Sequence, residues 1–204
     1  MVVYLVLLVL SAFFPFFSSI ERISQDEPVL VPAFDFKGDK VTRTDRQIPV
    51  HAKLHGFAPD GTTGGKPVLV YLHRAPWDSR GSQFCADLAQ TGQVAVIEPF
   101  LPGFATSPGN VPSHSMEANA EVVASLVEHY GVKEYHVLGQ GLGGVAALEL
   151  AAAHPDRVRS LTMLSAPGAQ EFELLGNPLV NKIVYGFQGA FFWGVSRLTP
   201  NFGA

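Results

Sequence analysis

Tyr135-His-Val-Leu-Gly-Gln-Gly-Leu-Gly-Gly144 is the stretch whose reading decides the fold. Tyr135 to Leu138 is a short apolar run that predicts a buried strand. Gly139-Gln140-Gly141-Leu142-Gly143 follows, and then a pattern rich in Ala and Leu that predicts a helix. Strand, sharp turn and helix succeed one another without a spacer. Glycine is the residue that accepts the backbone angles such a turn needs. At its centre stands Gly141, which carries no side chain.

Outward from this stretch the same alternation continues. Val68-Leu-Val-Tyr-Leu-His73 and Val94-Ala-Val-Ile97 predict buried strands, Met116 to Tyr130 a helix, and Ser160 to Leu164 a further strand. Alternating strands and helices imply right-handed βαβ units and a mostly parallel sheet with flanking helices, an α/β protein. Before them, Lys40-Val-Thr-Arg-Thr and Ile48-Pro-Val-His-Ala-Lys-Leu suit antiparallel strands, and Pro59-Asp-Gly-Thr-Thr-Gly-Gly65 is a turn cluster.

These blocks, in this order, resemble the α/β-hydrolase family of serine esterases and lipases. His73-Arg74 falls where that family carries an HG dipeptide. Phe100-Leu-Pro-Gly-Phe-Ala-Thr-Ser107 is similar to its D-x-x-G-x-G-x-S loop, and Leu148-Glu-Leu-Ala-Ala-Ala-His-Pro-Asp-Arg-Val158 to its helix-to-strand joint. The central turn resembles the family's G-x-S-x-G elbow, in which the middle Ser projects its hydroxyl above the sheet as the nucleophile. Here Gly141 takes that place. By the same resemblance the two backbone donors of an oxyanion hole map onto Ala75 and Leu142. Arg74 replaces a Gly, Pro76 removes a neighbouring donor, Phe100 replaces an acidic residue and Ala105 a loop Gly. Together these departures imply relaxed catalytic constraint.

The family's order is Ser, then Asp or Glu, then His. After Leu164 this chain contains Glu171 and Glu173 but no Asp and no His, and the sheet is expected to be incomplete at its C-terminal end. His154 belongs to the far end of the elbow helix. Three functions follow as expectations: a catalytically inactive or truncated homologue of a serine ester hydrolase; an active hydrolase of ester or amide bonds whose Asp/His half lies outside this chain; or a pseudoenzyme that binds a small, ester-like ligand. The pocket residues would be His73, Arg74, Gln140 and Ser165. His73 would orient the oxyanion loop or merely hydrogen-bond a neighbouring one. Gln140 would pack beside the elbow or meet solvent, and Ser107 and Ser165 are the serines near the catalytic edge.

Composition narrows the partners. With 204 residues, 47% hydrophobic and 16% charged, the chain supports one core. A net charge of −4 without a basic run argues against nucleic acid. Cys85 is alone, so no internal disulfide is expected. No CxxC or HExxH motif occurs, and neither a metal nor a cofactor is expected.

The ends read differently from the middle. Residues 1–20 hold no charge and are dominated by Val, Leu and Phe. As a helix they would rise about 30 Å, enough to span a bilayer core. They predict a signal anchor or a cleaved signal peptide, and hence a membrane-anchored or secreted protein. Residues 21–32 read as a linker, 33–176 as the α/β core, and 177–204 as the start of a cap-like or lid-like helical segment. In that last segment Val180, Ile183, Val184, Phe187, Phe191, Val195 and Leu198 recur at helical spacing. A helix covering the sheet, or one lying on a membrane surface, fits the same pattern.

Overall fold

The computed structural model describes residues 27–74, 79–104 and 107–166, together with 183, 186 and 187. Residues 1–20, the proposed anchor, lie outside this set, as does nearly all of the segment 177–204. Among the described residues, no helix is long and apolar enough to cross a membrane. The chain divides into two units, and Ser24–Gln170 is the unit that carries the sheet.

The unit opens with a hairpin. Strands β1 (Val29–Lys37) and β2 (Lys40–Val50) pair antiparallel across a turn at Gly38 and Asp39, with a bulge between Pro32 and Phe34. Their inward residues Val31, Ala33, Ile48 and Val50 are buried. Here the structure corrects the reading of 21–32 as a linker, since β1 already begins at Val29. The four-residue run to Pro32 is too short to declare itself a strand. It is held by pairing with Gln47 to Val50.

A five-stranded sheet follows, in the order β3-β5-β4-β6-β7. Its members are β3 (Ala52–His55), β4 (Val68–Leu72), β5 (Ala95–Pro99), β6 (Tyr135–Gln140) and β7 (Val158–Leu164). β3 lies antiparallel on β5, and the other pairs are parallel. Three helices connect the parallel strands: α1 (Ser79–Gln90), α2 (Met116–His129) and α3 (Leu142–Ala153). Alternation along each strand sends side chains to opposite faces. Val70, Leu72, Ala95, Ile97 and Val137 enter the large core with α2, α3 and the hairpin. Tyr71 and Val96 meet Cys85 and Ala89 of α1 on the other face. All five residues of β5 are buried, as expected where helices cover both faces of a parallel strand.

Local signals fix the helix ends. Ser115 caps α2 by accepting the Ala118 N–H at 3.1 Å. After Tyr130, Gly131 turns with positive φ, and its N–H reaches the Glu128 carbonyl at 2.8 Å.

Candidate functional site

Strand β6 runs on through Gly139 and Gln140, which narrows the expected five-residue turn to a single residue, Gly141. Gly141 has φ 56° and ψ −123°, close to the first central position of a type II′ turn, and Leu142 is already the first residue of α3. The bend is held by main-chain bonds alone: the Gly141 N–H donates to the Leu164 carbonyl and the Gly144 N–H to the Gly141 carbonyl, both at 3.0 Å. The neighbouring glycines serve closeness instead. A Cβ on Gly139 would sit 2.5 Å from the Gly143 carbonyl oxygen, and one on Gly143 would strike the carbonyls of Leu72 and His73. These contacts let α3 press against the ends of β4 and β6.

His73 leaves the end of β4 and is buried, with 3% of its surface exposed. Its Nδ1 donates to the Arg74 carbonyl at 2.8 Å, and its Nε2 accepts the Leu101 N–H at 3.3 Å. That pattern assigns the neutral ring with the proton on Nδ1. Burial, the dominant influence, holds its pKa below the usual 6.5, against the raising effects of the Arg74 carbonyl and the Glu98 charge. Phe104 packs edge-on at 5.3 Å and Phe100 lies 6.4 Å away. Phe100, where the family resemblance implies an acid, is thus a buried packing residue here. With both nitrogens engaged, His73 ties the β4 and β5 loops together and has no lone pair for proton abstraction.

The remaining predicted residues do not gather at one place. Arg74 and Gln140 come together at the carboxyl end of the sheet. The Tyr71 hydroxyl donates to Gln140 Oε1 at 2.6 Å, so Gln140 is bonded to β4 rather than simply packed or solvated. These residues share a cavity of about 310 Å³ with Phe84, Leu138 and Leu164. Ser165 follows β7 with φ 49°, is exposed and does not line that cavity. Ser107 is buried, and its Oγ accepts the His51 N–H at 3.0 Å, which makes it a loop brace. His154 faces Glu121 of α2 at 3.2 Å. Ala75 lies outside the described residues.

A second cluster was invisible to sequence reasoning. Glu98 of β5 is fully buried, accepts Ser82 Oγ at 2.6 and 2.8 Å, and faces His55 Nε2 at 3.0 Å. Lys53 Nζ donates to Ser82 Oγ at 3.2 Å. Cys85, fully buried on α1, completes the group, and burial pushes its thiol pKa up. No local motif announces it, because its members come from β3, α1 and β5.

Comparison with known proteins places the chain. The α/β-hydrolase fold family matches residues 67–197, and the chain belongs to that family. A pimeloyl-[acyl-carrier protein] methyl ester esterase of Aeromonas hydrophila is 37% identical over 110 residues, covering 51% of this chain and 40% of the esterase. A haloalkane dehalogenase of Mycolicibacterium paratuberculosis is 28% identical over 137 residues, 65% of this chain and 43% of the dehalogenase. The structure of an epoxide hydrolase from Vigna radiata matches with a TM-score of 0.56 at 16% identity, covering 82% of this chain and 48% of that one, a likeness of fold. The match spans less than half the length of each of these relatives.

Proposed function

We propose that this chain is a catalytically silent homologue of the ester hydrolases, a scaffold whose elbow holds no nucleophile. The observation that carries the reading is Gly141, which has the position and angles of the elbow residue but no atom able to attack a carbonyl. The engaged ring of His73 supports it, since a base must present a lone pair to the nucleophile. Loss of a triad nucleophile leaves only a small residue of the rate, from binding and oxyanion contacts. Labelling of the full chain with a fluorophosphonate probe tests the reading directly. No adduct is expected; an adduct would restore the competing view, an active serine hydrolase completed by further chain.

A second reading has its own observation. The cavity at the strand ends pairs apolar walls, Phe84, Leu138 and Leu164, with the polar Arg74 and Gln140. Such a combination suits a small ester or the acid derived from it. Thermal-shift screening against short esters and carboxylic acids tests this, with stabilisation lost in Arg74→Ala expected. The uncharged residues 1–20 support placement at a membrane or in the secretory route. Fractionation of the full chain with the membrane pellet or the medium checks that.

A further inference from the structure

We propose that His55, Cys85 and Glu98 form a binding site for a borderline-soft divalent cation, with Zn²⁺ as the type. One ring nitrogen, one sulfur and one carboxylate oxygen all lie within 4.8 Å of one another. A tetrahedral ion with bonds of about 2.0–2.3 Å holds its ligand atoms roughly 3.3–3.8 Å apart. A contraction of about 1 Å therefore closes the set around an ion. Glu98 and Cys85 are both fully buried and define two fixed corners. His55, on the short outer strand β3 with its side chain 15% exposed, is the corner that can move and the point of entry.

The donor types select the ion. Thiolate and imidazole favour Zn²⁺ and its neighbours over Mg²⁺ and Ca²⁺. One thiolate and one carboxylate balance a double positive charge, and three protein ligands leave a fourth position for water. Without an ion, Glu98 is held by Ser82 and His55. On binding, the Nε2 proton that His55 donates to Glu98 passes to Nδ1 by a change of tautomer, which frees the Nε2 lone pair for the metal, and the Cys85 proton is released to solvent. Ser82 keeps its bond to Glu98 and orients the carboxylate from outside.

The groups facing the site from the packed elements are Lys53 and His55 of β3, Glu98 of β5 and Cys85 of α1. Lys53 opposes the ion. Its ammonium lies against Ser82 and acts on the Cys85 thiol, but the side chain is only part-buried and can swing outward. The inference is independent of what Gly141 does.

The test uses the full chain in mild detergent, kept reduced and stripped with a chelator. Titration with Co²⁺ is expected to raise a thiolate-to-cobalt charge-transfer band in the near ultraviolet, which Zn²⁺ then abolishes by displacement. Cys85→Ser removes the band. His55→Ala, at a part-exposed position less critical to folding, weakens Zn²⁺ binding measured by calorimetry by on the order of a hundredfold. A folded protein that gives no band overturns the proposal. So does a Zn²⁺ affinity unchanged in His55→Ala.

Discussion

A Cβ placed on Gly141 would lie 3.1 Å from the Cβ of Arg74. The two positions are sterically coupled: Arg74 crowds the space a side chain at the elbow would need. Gly141→Ser is therefore expected to lose roughly 1–3 kcal/mol, through positive φ and through this contact. Arg74→Gly should return part of the loss, with a coupling of about 0.5–2 kcal/mol in a double-mutant cycle by urea unfolding. Strict additivity would show that the two residues ignore each other. Because both nitrogens of His73 are engaged, Gly141→Ser alone should leave p-nitrophenyl ester turnover at background.

Gly143→Ala should do more harm than Gly141→Ser, although the helical backbone itself welcomes Ala. The added methyl meets main-chain carbonyls of Leu72 and His73, which have no rotamer to yield. A loss of about 3 kcal/mol is expected, at the upper end for overpacking. A variant as stable as the parent would mean that α3 stands off from β4.

His73 makes stability depend on pH. Its folded pKa lies below 6.5 because burial penalises the imidazolium. Above 6.5 both folded and unfolded states carry a neutral ring, and its full contribution is present. As pH falls below that value the unfolded chain binds a proton first, so stability is lost down to the folded pKa. Denaturant midpoints between about pH 7 and 5 should fall less steeply in His73→Gln than in the parent. Equal slopes would remove His73 as the cause.

Ser115→Ala should cost about 1 kcal/mol by removing the α2 cap. Unfolding by circular dichroism reads it, and a variant indistinguishable from the parent would place the capping role elsewhere.

What could be read from residues alone follows the range of the forces involved. Runs such as Val68 to Leu72 and Ala95 to Ile97 are apolar because both faces are covered, and they were legible as strands. The elbow was legible too, since glycine spacing and strand-to-helix succession are local. The hairpin's first strand was not, because Val29 to Pro32 acquires its structure from partners near residue 48. Within the site, Gln140 could be placed but its bond to Tyr71 could not, as it joins strands 69 residues apart. The cluster of His55, Cys85 and Glu98 was missed for the same reason. The spacing of metal motifs reflects a single loop or helix turn, and here each donor comes from a different element.

The bend at Gly141 draws all its support from amides and carbonyls, none from a side group. With glycine encoded there, the architecture around the bend keeps its shape without a side chain's help. Chemistry at this point of the molecule is therefore detachable: a single codon change can silence it without leaving a mechanical scar. Likeness of form to working hydrolases would survive such a change intact, so resemblance in outline carries no record of whether turnover persists.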